Sequence, residues 1–336
     1  MTLATFLSAA FHWRGRTGRV GFAAAFVLCA AVFVIWANQP KLSWDRVWGA
    51  PVLALTVLLL FGHARRRLND LGWSGHWMWL MAVPLLHLGL SLVLALRRSA
   101  KEDQILHVGL WGKRLVYVFA MLVASRGLWE PYWIPSGAMK PALLVGDYVP
   151  VTPVWATPQR GDVLVYRHPA QEVDFVGRLI GLPGDELQIK AGVLHLNGVS
   201  VILRDAGVFA ELMEPQGPQA RFPRCVNGAV GIGAICEKTR QIETLPNGAS
   251  YAVLDIRRQT LDQTGIYQVP EEHYFFLGDN RDNSMDSRMA VSVGGVGFVP
   301  IENVVGRADR VLFSAAGRSL AHVWTWRGDR FFKAIH

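Results

Sequence analysis

Charge is scarce in this 336-residue chain: Asp, Glu, Lys and Arg make up 18% of it, against 51% hydrophobic residues. Soluble domains carry about 25% charged residues. The deficit, with a positive mean hydropathy of +0.23, argues against a wholly soluble enzyme and for membrane segments. Cysteine is scarcer still, at three residues. No Cys-x-x-Cys spacing occurs, which excludes a zinc ribbon or a thioredoxin-like redox motif. The ten histidines show no ligand spacing, so neither a metal nor any other cofactor is expected. The formal charge of +8 comes from Arg and Lys beside apolar runs. Lipid headgroups and the charge bias of cytoplasmic loops account for that placement better than a nucleic-acid partner does.

Four apolar runs are present, Val20–Ala37, Val47–Gly62, Trp77–Leu96 and Leu115–Trp129. The first three are long enough to span a bilayer and the fourth is slightly short. No small-residue cleavage site follows the first run, so a cleaved signal peptide is not expected. Basic clusters at Arg14, Arg16 and Arg19, at Arg65–Arg67, and at Arg97, Arg98, Lys101, Lys113 and Arg114 all favour the cytoplasm. Four simple spans cannot satisfy all three clusters. A re-entrant Trp77–Leu96 segment, with Pro84 and His87 at its middle, would. With three spans from a cytoplasmic amino terminus, or four from an extracytoplasmic one, the chain after Trp129 emerges on the extracytoplasmic side.

Composition changes at about Glu130. Beyond it the chain is Gly-rich and reads as short strands. "GDVLVYRH" alternates, and "GVLHLNGVSV" is a hairpin through Asn197-Gly198. No helical period of useful length follows until the end, so an all-β domain is expected. Cys225 and Cys236 bracket a Gly-rich loop, and a disulfide between them fits an oxidising compartment. "HVWTWRGDRFFKAIH" mixes Trp and Phe with Arg and Lys, as interfacial segments do. Trp129, Tyr132 and Trp133 suit the same boundary. The organisation expected is a multi-span module over 1–111, an anchor helix over 112–130, a β domain over 131–315 and an interfacial segment over 316–336.

Two resemblances add to this. "FHWRGRTGRVGF" and "RRRLNDLGWSGHWMWLMAVPLL" resemble a family of small uncharacterised bacterial inner-membrane proteins over about residues 5–100. That likeness implies a membrane module and no chemistry; interfacial anchoring would explain its Arg and Trp residues. "EPYWIPSGAMKPALLVGDYV", "FVGRLIGLPGD", "FLGDNRDNSMDSR" and "GFVPIENVVGRA", in that order, resemble bacterial type I signal peptidase over about residues 112–315. The resemblance implies an antiparallel β fold on a membrane anchor in the bacterial inner membrane, with the β domain on the periplasmic side. It implies a serine endopeptidase that removes signal peptides from exported proteins after small residues at −3 and −1. A serine nucleophile and a lysine base carry that chemistry, the lysine being neutral because it is buried among apolar groups.

Here the nucleophile position falls on Ala138 and the base position on Gly177. A methyl group cannot attack a carbonyl, glycine cannot take a proton, and the adjacent Arg178 does not deprotonate. The rest of the motif set is present. By the resemblance, Ser136 and the Ala138 N–H form the oxyanion hole, Ser284 reaches the base position, and Asp286 with Arg288 braces it. Ile134, Pro135, Met139 and Phe175 contact the substrate. Each has a plainer alternative. Ser136 could bond its own turn, the Asp279-Asn280-Arg281-Asp282 run could be a loop of ion pairs, and Lys140 and Lys190 read as surface cations. A non-catalytic homologue that binds signal peptides or a membrane partner at the bilayer is therefore expected. Its alternatives are an active peptidase using Ser136 and an engineered knock-out. Gly177 weighs against engineering, since Lys→Ala is the usual choice.

Overall fold

The structure is a computed structural model and describes residues 2–39, 44–82, 84–99, 110–317 and 322–335. The chain divides into two compact units, Met1–Trp129 and Glu130–His336.

The first unit is helical. Its main helices are Arg19–Ala37, Trp44–Asp70, Pro84–Leu96 and Leu110–Ser125. Phe22, Phe61, Leu68, Met78, Leu94 and Val116 form its core. Two helices, Arg19–Ala37 and Asp45–Asp70, are long and apolar enough to cross a membrane. Among the described residues the other two apolar runs form shorter helices. Trp77–Leu96 is not one helix: a 3-10 helix, Gly75–Ala82, is followed by an α-helix that begins at Pro84. Proline has no N–H to donate, and the first turn of a helix, whose N–H groups lack intrahelical partners, accommodates it best. The Leu115–Trp129 run ends its helix at Ser125; 16 residues rise only about 24 Å. The arginines of "RRRLND" also differ from simple interfacial anchors. Arg67 is fully buried, pairs with Asp70 and donates to the Leu94 carbonyl at 2.8 Å.

The strand ladders of the second unit are antiparallel. Its main sheet runs Glu130–Trp133, Asp147–Thr152, Val304–Ala308, Val163–Arg167, Asp174–Gly181, His273–Leu277, Val299–Pro300. The alternating burial of Asp147–Thr152 marks a strand with one face in the core. Val163–Tyr166 is buried on both faces and sits centrally. Two smaller sheets complete the unit, one of Ile202–Leu212, Ile235–Thr244 and Ser250–Asp255, the other around Glu186–Lys190. The Asn197-Gly198 hairpin has both residues at positive φ, 52° and 80°, as a type I′ turn demands. Cys225 and Cys236 are joined, with an S–S distance of 2.06 Å.

Residues 322–335 are woven into this unit. Arg330, 4% exposed, donates to the Asp147 carboxylate at 2.5 and 3.0 Å, and Ala334 bridges to Arg310. Ser314 and the Leu144 N–H also donate to Asp147, at 2.6 and 2.8 Å. Arg330→Ala should cost about 2–3 kcal/mol, below the usual loss for half of a buried pair because those donors remain. Urea unfolding of the purified protein measures it. Exposed Trp324 and Phe332 lie on the same stretch.

Candidate functional site

The turn around Ala138 is held from the opposite loop. Asn280 N–H donates to the Ala138 carbonyl at 2.9 Å, and Asn280 Nδ2 donates to the Gly137 carbonyl, also at 2.9 Å. A Cβ at Gly278 would stand 2.8 Å from the Ala138 oxygen and collide with Ser284 Oγ. Only glycine lets Ser284 approach the turn that closely. These elements line a cleft of ≈ 720 Å³ that also takes in Ser136, Gly177, Tyr166 and Asp286.

Strand register decides what stands at Gly177. Leu164 pairs with Gly177 and Tyr166 with Phe175, so the Tyr166 ring leans diagonally across the glycine. It stacks on Phe276 at 4.2 Å between ring centroids. A Cβ at Gly177 would lie 3.2 Å from both the ring edge and the hydroxyl of Tyr166, and 3.3 Å from Phe276 Cβ. The phenol therefore fills the space a side chain at 177 would enter. Burial, and next the nearby Asp286 charge, push its pKa far above the ordinary tyrosine value. The hydroxyl stays protonated and can donate.

Ser136 is exposed and makes no hydrogen bond within the described residues, so it is not a self-bonded turn serine. The Ala138 N–H is likewise unpaired there. Asp286 is tied to Arg288 through two contacts of 2.8 Å, and its Oδ2 also accepts from the Gly278 N–H at 3.1 Å. Pro135 and Phe175 line the cleft. Ile134 and Met139, assigned to substrate contact from sequence, are 3% and 0% exposed and pack into the core; they lie outside the cleft lining.

Lys140 is not a surface cation. It is 4% exposed and donates to Glu211 at 2.5 Å and Gln216 at 2.6 Å. Lys238, equally buried, pairs with the same Glu211. Desolvation pushes the Glu211 pKa up, but the two ammonium groups overcome it and hold the carboxyl below its ordinary value. Burial lowers the Lys140 pKa and Glu211 opposes that shift. An ammonium donating to two acceptors is not a free base for Ser136.

The Asp-Asn-Arg-Asp run is a buried scaffold. Asp279 accepts from Arg178 at 2.7 and 2.6 Å. Arg281 donates to Glu243 at 2.9 and 2.7 Å. Asp282 accepts from the N–H groups of Ile256 and Arg257 at 2.8 and 2.9 Å. Beside it, the pKa of Asp255 is pushed up to about 6 by burial, then by the hydrogen bond and charge of Asp282. With the folded value above the unfolded one, the folded state holds the extra proton, and this contribution to stability is lost as pH rises from about 4 to 6. Asp255→Asn should therefore match the native protein near pH 4 and exceed its Tm by a few degrees above pH 6. A Tm difference independent of pH would refute this. Among the described residues no group of His, Cys, Asp and Glu could hold a metal.

The family model for signal peptidase, peptidase S26, matches residues 109–313. The chain belongs to that family. Signal peptidase I of Rickettsia typhi (strain ATCC VR-144 / Wilmington) is 33% identical over 224 residues, 57% of this chain and 75% of the relative. Signal peptidase I of Pseudomonas fluorescens is 33% identical over 233 residues, 61% of this chain and 72% of the relative. Among solved structures, a signal peptidase I from Enterococcus faecalis V583 is 24% identical and covers 45% of this chain and 97% of the solved one, with a TM-score of 0.23. Within this signal peptidase family member, sequence reasoning missed Tyr166, Lys238 and Glu211. None lies in the stretches that carry the resemblance; the fold brings Tyr166 and Lys238 to the cleft and Glu211 to Lys140 and Lys238 behind it.

Proposed function

We propose that this chain is a membrane-bound signal peptidase homologue that binds signal-peptide-like extended segments without cutting them. The observation that carries the reading is the pairing of Ala138 at the nucleophile position with Gly177, covered by Tyr166, at the base position. The retained features support binding: an open cleft, an unpaired Ser136 hydroxyl and Ala138 N–H, and a loop clamped by Asn280. An extended segment would lie along the cleft as strands add to sheets, with backbone pairing for affinity. The two long apolar helices and the basic clusters beside them favour several membrane passes in the bacterial inner membrane, with the β unit outside the cytoplasm.

The test is a preprotein incubated with the purified full-length protein in detergent. No cleavage above buffer is expected, together with saturable binding of the preprotein. Cleavage that disappears in Ser136→Ala, or on adding a signal-peptidase inhibitor, would overturn the reading.

A further inference from the structure

The cleft contains donors that the protein does not use. Tyr166 Oη, Ser136 Oγ, Ser284 Oγ and the Ala138 N–H make no hydrogen bond among the described residues. Tyr166 is 1% exposed and still lines the cleft, so its hydroxyl can donate to a group bound there. Tyr166 faces Gly177 at one end of the group, and Ser284 meets the Ala138 turn across Gly278. An unpaired acceptor, Asn280 Oδ1, is sealed from solvent.

Charge points the same way. Lys140 and Lys238 share the single carboxylate of Glu211, which leaves one positive charge over. Lys140 packs directly behind the turn, since a Cβ at Gly137 would lie 3.2 Å from its Cε. Arg221 and Arg224 line the cleft without a carboxylate partner among the described residues. The cleft's own carboxylates are engaged. Asp286 is held by Arg288, Asp174 accepts from Tyr132 at 3.0 Å, and Asp282 accepts from two backbone N–H groups.

A group that offers acceptors and negative charge, and no donor, suits this lining. A peptide bond passing through brings an N–H with every carbonyl. The last residue of a peptide brings a carboxylate and no further N–H. We propose that the cleft holds the free C-terminal carboxylate of an extended peptide, with Tyr166 Oη and the Ala138 N–H donating to it. The proposal deepens the binding function above and rests on it. A donor role gives a function to the Tyr166 hydroxyl, which covers Gly177 beside Leu164, Leu179 and Phe276.

The experiment uses the full chain in nanodiscs and a fluorescent octapeptide ending in alanine, as the free acid and as the C-terminal amide. The acid is expected to bind at least tenfold more tightly. Tyr166→Phe, checked for an unchanged melting curve, should weaken the acid about fivefold or more and leave the amide unaffected. Equal binding of acid and amide overturns the carboxylate assignment and leaves the extended-segment reading standing. Binding of neither removes both. Displacement of the acid by inorganic phosphate at the acid's own Kd also overturns it, since the cleft would then be a general oxyanion site.

Discussion

Ala138→Ser combined with Gly177→Lys is expected to leave preprotein cleavage within about tenfold of background, and adding Tyr166→Phe should raise it on the order of a hundredfold. The expectation follows from what occupies the base position. Removing a serine nucleophile costs a protease about a millionfold, so replacing the serine is necessary. A lysine at 177 must place its amine near residue 138 and become neutral by burial. Its first carbon would already stand 3.2 Å from the Tyr166 hydroxyl and 3.3 Å from Phe276 Cβ. The phenol hydroxyl would also donate to the neutral amine and occupy its lone pair. Phenylalanine removes the hydroxyl and keeps the stacking on Phe276. The measurement is initial cleavage rate of one preprotein by the native, double and triple chains at matched concentration. Equal rates for the double and triple chains would show that Tyr166 is no obstacle.

The second large effect is on stability. Glu243, 1% exposed, receives both guanidinium nitrogens of Arg281 and the Tyr251 hydroxyl, the latter at 2.5 Å. Arg178 lies 4.0 Å over the Tyr251 ring and is itself locked to Asp279. Glu243→Ala strands a buried guanidinium and a buried phenol together. The loss should be about 3–5 kcal/mol, or roughly 10 °C in the Tm of a unit this size. Glu243→Gln keeps an acceptor for one donor and should lose less. A change under 1 kcal/mol for the alanine variant, by denaturant unfolding, would mean the network is not what holds the loop. Because Asn280 in that loop clamps the Ala138 turn, peptide binding should weaken in step with stability.

Local chemistry made the strands legible. The Asn197-Gly198 turn is set by neighbours in sequence, whereas Val163–Tyr166, read as part of an alternating stretch, is buried on both faces because strands pair on either side of it. The apolar helices were legible in number of apolar residues but not in length, since Pro84 and the turn after Ser125 interrupt runs that composition alone joins. Ile134 and Met139 were misjudged for a related reason: the motif names the turn, but which side chains of a turn point inward depends on what packs behind it.

The sequence by itself placed Ala138 and Gly177 where the family resemblance implies a nucleophile and a base, and residue type alone forbids either to attack or to take a proton. It also determined the motifs that identify the family. Only the tertiary structure decided what the site became. Tyr166 covers Gly177 because the register Leu164–Gly177 puts a ring two residues further along on the same face. Lys140, taken for a surface cation, is buried because strand pairing between Ile202–Leu212 and Ile235–Thr244 brings Glu211 and Lys238 together, and the fold sets them beside the Ala138 turn. Contacts between residues far apart in the chain are fixed by packing and hydrogen bonding, and those are properties of the folded chain.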